Sequence, residues 1–253
     1  RHSRRALRQE REWRACGMIR RATTCFFSLI LSLALLTGCV MRCAAAQSKN
    51  RESSPEGRVF SRGVPGRGRV ALTFDDGPDP KLTAEILDIL SENGVRATFF
   101  VVGSNAREHP ELIDREINEG HEIGNHTYNH KYLGRVDAKR TEEEIASCDS
   151  LIFEHNEYTT RLFRPPGGIM NRDISRVCAA YGYSVMLWSV DTRDWSGRDA
   201  DAICREIYRN VSDGAIILMH DGVRGHTAEA LRTVIPELKK RGYEFVTASE
   251  LIK

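Results

Sequence analysis

Short apolar runs alternate with amphipathic segments from residue 68 to the end of the chain. Most of these runs are apolar at nearly every position, which is typical of strands that are covered on both faces. The chain therefore predicts seven strands, with the sequences VALTF, ATFFVVG, HEIGN, RLFRPP, YSVMLWSV, AIILMH and YEFVTA.

Segments with a helical spacing of apolar residues lie between the predicted strands. The first of these helices ends at Gly94, and its apolar stripe consists of Leu82, Ile86, Ile89 and Leu90. Thr141 and Glu144 have the spacing of a capping box, which predicts that another helix begins there. Repeated strand–helix units predict parallel strands with helices outside, in a barrel or in a doubly wound sheet.

The polar clusters of the chain favour the barrel. DDGPD, HTYNH, RPPGG, DTRDW and HDG each follow the carboxyl end of a predicted strand. The active site of a parallel α/β barrel is built at that rim. No G-x-G-x-x-G follows the first strand, so a dinucleotide-binding fold has no support. We therefore expect an α/β fold, a distorted (β/α) barrel with about seven parallel strands.

Composition and charge indicate one folded domain with a basic extension. A chain of 253 residues with 41% hydrophobic residues can bury a core, and one domain of roughly 200 residues fits it best. Residues 1–66 carry 13 Lys and Arg against 4 Asp and Glu, whereas residues 67–253 carry 24 against 31. The basic excess thus belongs to the extension, and we expect no nucleic-acid surface on the folded part.

The extension has the plan of an export leader. A basic start, MIRRATTC from Met18, precedes the apolar core FFSLILSLALLTG, which is too short for a comfortable membrane span. Two processing sites are possible at the end of this leader. LTGC resembles a lipoprotein box with a lipid on Cys39, whereas AAAQ, 44–47, satisfies ordinary signal cleavage. We slightly favour the lipoprotein, because cysteine stands where lipidation needs it.

These features divide the chain into three parts. We expect residues 1–46 to be an upstream extension plus signal peptide, residues 47–67 to be a polar tether, and residues 68–253 to be the folded domain. We expect an exported protein that is extracellular or associated with the cell envelope. Its membrane contact is limited to a lipid anchor at Cys39 or an uncleaved leader.

His126 and His130 lie four residues apart in HTYNH. On one helical turn this spacing directs both imidazoles towards a common point, as two ligands of one metal require. Two histidines also reach this spacing by chance on a surface or in a core. The pair alone leaves both interpretations open.

Asp75 and Asp76 follow the apolar run RVALTF directly. Asp-Gly and Pro-Asp pairs are common in turns, so one interpretation of LTFDDGPDP is an ordinary turn. The other is chemical, because two carboxylates can share a cation or divide acid–base work. With the two histidines, one aspartate completes a three-ligand site that suits a catalytic divalent ion such as zinc. Its neighbour then stays free to take a proton from water.

Three further clusters add a cation, flexible loop positions and an aromatic ring. Arg164 can hold the free carboxylate, and Gly167 and Gly168 let backbone N–H groups approach a substrate oxygen. The alternative for RPPGG is a rigid turn. An aspartate of DTRDW paired with His220 would raise the imidazole pKa and favour a proton donor to a leaving amine. Trp195 is either a face for a sugar ring or a core aromatic.

The motifs TFDDGP, HTYNH, RPPGG, DTRDW and LMH resemble, in this order, the five motifs of the polysaccharide deacetylase family. This family is the NodB-homology domain of carbohydrate esterase family four. The resemblance covers residues 68–253, and five motifs in a fixed order make it specific. It implies metal-dependent removal of N-acetyl groups, sometimes O-acetyl groups, from polysaccharides on a distorted (β/α) barrel.

The resemblance also implies how the metal and the base are arranged. It makes Asp75 the general base, which Arg164 orients. It makes Asp76 a metal ligand together with His126 and His130. For the ion we expect Zn²⁺, with Co²⁺ or another first-row ion as the alternative.

The other motif residues take substrate and proton-donor roles by the same resemblance. Asp194 pairs with His220, the general acid. Trp195 walls the groove, Leu218 lines the pocket for the acetyl methyl, and the backbone N–H of Gly167 helps to stabilise the tetrahedral oxyanion. Many members carry a larger residue, often aromatic, where this chain has Gly167. A side-chain contact to sugar is therefore lost, which leaves the substrate specificity open.

The expected substrate is N-acetylglucosamine in peptidoglycan, because the leader looks bacterial and places the domain at the wall. Chitin-type polymers, poly-N-acetylglucosamine and acetylxylan are the alternatives within the enzyme class. The rival from another class is a catalytically inert wall-binding module. That rival predicts a missing motif residue, whereas the base, ligand and acid positions are all filled here. We expect the protein to be a monomer.

Overall fold

The computed structural model describes residues 57–253, which fold around one sheet of nine strands. The strands are β1 (Val59–Phe60), β2 (Arg69–Asp75), β3 (Thr98–Val101), β4 (Glu122–Asn125), β5 (Leu162–Phe163), β6 (Ser184–Met186), β7 (Val190–Asp191), β8 (Ala215–His220) and β9 (Glu244–Phe245). The helices are α1 (Leu82–Glu92), α2 (Gly103–Glu108), α3 (Pro110–Asn118), α4 (Ala138–Asn156), α5 (Arg172–Tyr181), α6 (Ala200–Asn210), α7 (Thr227–Lys240) and α8 (Ala248–Leu251).

All pairings between these strands are parallel. The strand order is β1-β6-β5-β4-β3-β2-β8-β7, with β9 beside the start of β2. β1 and β7 are the two ends of this order, so the described strands form an open barrel. The predicted fold class, a distorted (β/α) barrel of parallel strands, is confirmed, with nine strands in place of about seven.

The two additional strands have different origins. The run YSVMLWSV divides into β6 and β7, and at this break the carbonyls of Met186 and Leu187 accept hydrogen bonds from the Arg164 side chain. β1 falls within 47–67, so the tether prediction does not hold for these two residues, which pair with β6. A two-residue strand in a polar segment has no periodicity that could predict it. The remaining domain boundaries stay predictions.

Strand β2 is buried along nearly all of its length, and its pairings set the position of Asp75 relative to the neighbouring strands. It pairs with β3 and β8, and Asp75 lies opposite both Phe100 and His220. Its apolar side chains alternate between the two faces of the sheet, as the geometry of a strand requires. Val70, Leu72 and Phe74 belong to the larger hydrophobic core cluster, and Ala71 belongs to a smaller cluster.

Amphipathic helices cover the sheet as the apolar stripes predict. In α1, Ile86, Ile89 and Leu90 are fully buried, and Leu82 packs at the margin of the same cluster. Helix α1 packs against α7. The α7 residues buried in this cluster are Leu231, Val234, Ile235 and Leu238.

Helix α4 begins one turn earlier than the capping box predicts. Its N-cap is Asp137, whose carboxylate accepts the Arg140 N–H at 2.8 Å. Thr141 lies inside the helix, and its hydroxyl donates to the Asp137 carbonyl at 2.9 Å. Glu144 is buried and accepts hydrogen bonds from Asn129 instead. The predicted capping box was therefore wrong, because an aspartate caps as well as a threonine does and comes first in the chain.

Among residues 57–253, no helix is both long enough and apolar enough to cross a membrane. The expected leader, residues 1–46 with Cys39, lies outside the described residues. Export and lipid anchoring therefore stay predictions.

Glu116 is a fully buried carboxyl of α3 without a hydrogen-bond partner for either of its oxygens anywhere in 57–253. Burial raises its pKa well above the usual glutamate range, and the charge of Asp221 adds to that shift. The native chain thus binds more protons than the unfolded chain once the pH exceeds about 4.3. The free energy of unfolding therefore falls as the pH rises from there towards the raised pKa.

We predict that Glu116→Met increases the free energy of unfolding at pH 8 by about 1–3 kcal/mol, because it removes an unpaired buried polar group. The pH dependence between pH 5 and pH 8 should become weaker in the same variant. Urea unfolding at both pH values measures the two effects. Glu111→Met, at an exposed position of the same helix, is the control and should change little. A Glu116→Met protein that is less stable than the unaltered chain at pH 8 would contradict the prediction.

Candidate active site

The polar motifs meet at the carboxyl ends of neighbouring strands. Asp75 ends β2, His126 follows β4, Arg164 follows β5 and His220 ends β8. Because these strands are parallel, their carboxyl ends share one rim of the barrel. The other predicted site residues lie on these strands or in the loops that follow them or β7, and they are Asp76, His130, Gly167, Asp194, Trp195 and Leu218.

A turn at Asp76 gives the two neighbouring carboxylates different partners. Asp76 has a φ of 75°, in the left-handed region, and Asn105 Nδ2 donates to its backbone carbonyl at 2.8 Å. The Asp75 carboxylate contacts Arg164, whereas the Asp76 carboxylate contacts the two motif histidines. One strand end thus supplies two acids to two different clusters.

Arg164 is fully buried and binds Asp75 through a short ion pair. Its Nη1 lies 2.7 Å from Asp75 Oδ1 and also donates to Thr73 Oγ1 at 2.9 Å. Its Nε donates to the Met186 carbonyl at 2.9 Å and its Nη2 to the Leu187 carbonyl at 3.1 Å. These hydrogen bonds fix the plane of the guanidinium, so Asp75 meets an oriented cation.

Asp76, His126 and His130 form a cluster of three donor atoms. Asp76 Oδ1 lies 3.4 Å from His126 Nε2 and 3.1 Å from His130 Nε2. The three atoms all lie within 4.8 Å of one another, as ligands of one metal ion do. Burial raises the pKa of Asp76, but the two imidazoles outweigh it and hold the pKa well below the usual range. The carboxylate is therefore ionised at neutral pH, as a metal ligand must be.

The protonation of this cluster fits a cation at its centre. His126 Nδ1 lies 2.7 Å from the Arg164 carbonyl, which can only accept, so in a neutral ring this nitrogen carries the hydrogen. His126 Nε2 then presents a lone pair towards Asp76. Asp76 Oδ1 is buried and has no hydrogen-bond partner within the described part of the chain. Lone pairs that face one another in this way suit a divalent ion between them.

A loop, and not a helical turn, brings the two histidines together. Thr127 and His130 have positive φ values of 69° and 51°, and residues 126–130 have no helical assignment. The Asn129 N–H donates to Glu144 Oε2 at 2.9 Å, which ties the loop to α4. The expected helical turn was therefore wrong, although the two side chains do converge. Glu144 thus supports the loop of the two histidines. The sequence did not predict this role, because Glu144 was assigned to a capping box.

His220 and Asp194 form a second, separate pair on the rim. His220 Nδ1 lies 2.8 Å from Asp194 Oδ1, and the His220 backbone N–H donates to Oδ2 at 2.8 Å. The hydroxyl of Thr227 donates to Oδ2 at 2.7 Å and that of Thr192 to Oδ1 at 3.1 Å. Burial lowers the pKa of His220, but Asp194 more than offsets this and the pKa rises to about 9. The imidazole is thus a charged donor at neutral pH.

Three predicted substrate residues lie on the same rim. Gly167 has a φ of 70° in the 3-10 turn Pro166–Gly168, and a β-carbon there would lie 2.8 Å from Tyr132 Cε1. Leu218 is buried in β8. Trp195 is 54% exposed, so the alternative of a core aromatic does not hold. The roles of these residues towards a substrate stay predictions.

Asp221 is a buried carboxyl beside the motif acids that the sequence motifs do not single out. Its Oδ1 accepts the Gly77 N–H at 3.1 Å, and its Oδ2 accepts the Thr83 hydroxyl at 2.6 Å. A β-carbon at Gly77 would lie 2.0 Å from Asp221 Oδ2, so the turn needs glycine there. Burial raises the pKa of Asp221 to about 7, and the charges of Asp76 and Asp75 add to it. The sequence feature that could have revealed Asp221 is its position directly after the motif histidine, in HDG.

Comparison with known proteins identifies relatives over most of the chain. The family model of polysaccharide deacetylase matches residues 62–186. A peptidoglycan-N-acetylglucosamine deacetylase of Bacillus cereus is 40% identical, over 80% of this chain and 97% of its own. A chitooligosaccharide deacetylase of Sinorhizobium fredii is 39% identical, over 74% of this chain and 93% of its own.

A solved structure agrees with the fold described above. It is a peptidoglycan N-acetylglucosamine deacetylase in complex with 4-naphthalen-1-yl-N-oxidanyl-benzamide. Its TM-score is 0.75 at 36% identity, and the match covers 78% of this chain and 94% of that chain. The ordered motifs, the parallel barrel and these relatives lead to one conclusion: the chain belongs to the polysaccharide deacetylase family of hydrolases.

Proposed function

We propose that this chain removes N-acetyl groups from the N-acetylglucosamine residues of peptidoglycan by metal-dependent hydrolysis. The proposal rests on one observation: the two adjacent acids at the end of β2 have different partners. Asp75 contacts Arg164, whereas Asp76 contacts the two motif histidines. His220, opposite Asp75 in the register of β2 and β8, adds a proton donor. One rim thus offers a base, a cation site and an acid.

Asp76, His126 and His130 are the proposed ligands of the ion. A divalent ion there supplies Lewis acidity, which polarises the acetyl carbonyl and makes the attacking water more acidic. We propose Zn²⁺, because two imidazole nitrogens and one carboxylate oxygen are a usual donor set of catalytic zinc. Co²⁺ and other first-row ions accept similar donors, so they are the alternatives to test.

Asp75 is the proposed general base. Its Oδ1 is bound to Arg164, and its Oδ2 lies 3.8 Å from His126 Nε2, at the border of the cation site. Oδ2 is therefore the oxygen that can take a proton from the attacking water. Arg164 orients the carboxylate without moving a proton, because a guanidinium stays protonated.

His220 is the proposed general acid. Hydrolysis of an amide needs a proton on the departing nitrogen, since an unprotonated amide nitrogen leaves poorly. Asp194 binds Nδ1 of the imidazole and raises its pKa to about 9, which leaves Nε2 to carry the proton to the amine. Asp194 itself stays ionised, since its own pKa is lowered by His220 despite burial.

Gly167, Leu218 and Trp195 are the proposed contacts to the reacting unit. The backbone N–H of Gly167 would donate to the oxyanion that forms when water adds to the carbonyl. Leu218 would pack against the acetyl methyl, and Trp195 would wall the groove for the sugar. Their positions support this, since Gly167 follows Arg164 in the same loop and Trp195 directly follows Asp194.

Peptidoglycan is the preferred substrate, because relatives that are named peptidoglycan-N-acetylglucosamine deacetylases are similar over most of this chain. The chitooligosaccharide deacetylase relative keeps chitin-type polymers as a second candidate. Poly-N-acetylglucosamine and acetylxylan are further alternatives. An inert wall-binding module is disfavoured, because the proposed base, ligands and acid are all present among the described residues.

The proposed location is the cell envelope. The basic start at Met18 and the apolar core after it support export, and LTGC supports a lipid on Cys39. Cleavage after AAA, 44–46, is the alternative and would release the protein. We propose a monomer that binds polysaccharide and meets the membrane only through a lipid anchor or an uncleaved leader.

We predict that the purified protein releases acetate from peptidoglycan glycan strands, that a chelator abolishes the release, and that added Zn²⁺ restores it. Add-back of Mg²⁺, which prefers oxygen ligands, is the matched control and should restore little. Parallel assays on chitopentaose, poly-N-acetylglucosamine and acetylxylan rank the substrates by kcat/KM. Acetate release that persists in chelator contradicts metal dependence. Binding to glycan strands without any release supports the inert module.

We predict that Asp194→Asn moves the alkaline limb of the kcat–pH profile to lower pH. The His220 imidazolium loses the carboxylate that raises its pKa, so it deprotonates earlier as the pH rises. The loss of kcat should therefore be larger at pH 8 than at pH 6, and about 10- to 100-fold at pH 8. The control is Asp191→Asn, whose carboxylate accepts only the Arg193 N–H among the hydrogen bonds of the described chain. An unchanged Asp194→Asn profile refutes the pairing of acid and aspartate.

A further inference from the structure

The ring of Tyr132 is exposed beside the cation site, and the reaction proposed above does not use it. Tyr132 comes two residues after His130 and is 59% exposed. The two rings meet edge to face, with centroids 5.5 Å apart and planes at 75°. This contact holds one part of the tyrosine ring and leaves the rest open to solvent.

The same ring lies over the turn Pro166–Gly168. A β-carbon at Gly167 would lie 2.8 Å from Cε1 and 3.3 Å from Cδ1 of Tyr132, so the ring occupies the space that a side chain would need. Tyr132 thus spans the loop of the metal ligands and the turn that follows Arg164. It therefore lies next to the proposed ligand His130 and the proposed oxyanion donor Gly167.

Ile169 is a second exposed apolar residue and directly follows the same turn. Its side chain is 48% exposed, and a β-carbon at Gly134 would lie 2.9 Å from its Cγ2. Ile169 therefore lies close to the segment that follows Tyr132. We refer to Tyr132 and Ile169 together as the rim platform. Large apolar side chains that are exposed on the rim of a site are typical of a binding surface.

The strand order sets the platform apart from Trp195. Tyr132 follows β4 and Ile169 follows β5, on one side of β2, whereas Trp195 follows β7, on the other side. The two acids of the strand end of β2 lie between them. A polymer with one unit at these acids would extend over the rim towards both sides.

We propose that the rim platform binds the pyranose ring of an N-acetylhexosamine unit next to the unit that reacts. This proposal rests on the proposed function, because it presumes a polymer of such sugars. The C–H face of a pyranose packs on an aromatic plane, while its hydroxyl groups remain in water at the edge. The platform therefore makes affinity depend on the number of sugar units, and Tyr132 is a specificity residue for polymers.

Steady-state deacetylation of chitopentaose by the zinc-loaded protein tests the platform. Tyr132→Ala should raise KM about tenfold and leave kcat within about twofold, because the lost contact is made with a non-reacting unit. Tyr132→Phe keeps the ring and should behave like the unaltered protein. Phe153→Ala removes an exposed aromatic of α4 outside the site and is the matched control. Equal KM values for Tyr132→Ala and the unaltered protein overturn the proposal.

A substrate without sugar separates binding from damage to the metal site. Hydrolysis of 4-nitrophenyl acetate and the zinc content should be the same in Tyr132→Ala and in the unaltered protein. If Tyr132→Ala loses ester hydrolysis and zinc as strongly as deacetylation, the ring only supports His130 and the platform is refuted.

Binding without turnover separates this proposal from the proposed function. Calorimetric titration of chitopentaose into the Asp75→Asn protein should give a Kd about tenfold lower than into the Asp75→Asn, Tyr132→Ala protein. This result supports the platform even if the unaltered protein releases no acetate from any polymer. Equal dissociation constants, or no binding to either protein, refute it.

Discussion

The buried ion pair of Arg164 and Asp75 is the interaction on which the site depends. The guanidinium reaches Thr73 and Asp75 on β2 and the carbonyl of Met186 at the end of β6. The Arg164 carbonyl accepts from His126, so the same residue also orients a metal ligand. Burial lowers the pKa of Arg164, and Asp75 opposes that shift. Removal of one partner from such a pair typically lowers the free energy of unfolding by about 3–5 kcal/mol. The proposed base, a proposed metal ligand and the stability of the fold therefore all depend on Arg164.

The pair also explains why two neighbouring acids do not compete. The Asp75 carboxylate forms an ion pair with Arg164. The left-handed backbone conformation of Asp76 places the second carboxylate beside the motif histidines. Asp221 then holds the turn through Gly77, as a carboxyl whose pKa burial raises to about 7. Asp76 and Asp221, whose pKa values are shifted in opposite directions, thus have different partners at one turn. Such a separation is what acid–base chemistry at neutral pH requires.

The strand periodicity and the ordered motifs predicted the barrel and the place of the acids, since buried parallel strands and rim motifs leave a clear pattern. The support of the site was not predictable in the same way. His126 and His130 converge through a loop with positive φ, and Glu144 holds that loop from a helix that begins at Asp137. Neither contact leaves an apolar period in the sequence, because the loop residues have positive φ values and Glu144 reaches Asn129 from inside a helix. The strand β1 was missed because two residues show no period.

The division of roles between Asp75 and Asp76 is the central claim, and metal content measured together with turnover in two matched variants tests it most directly. Asp75→Asn and Asp76→Asn make the same chemical change at adjacent positions. We predict that both lose at least about 100-fold in kcat, but that only Asp76→Asn loses its bound metal. An Asp75→Asn protein without metal, or an Asp76→Asn protein with full metal content, would contradict the account.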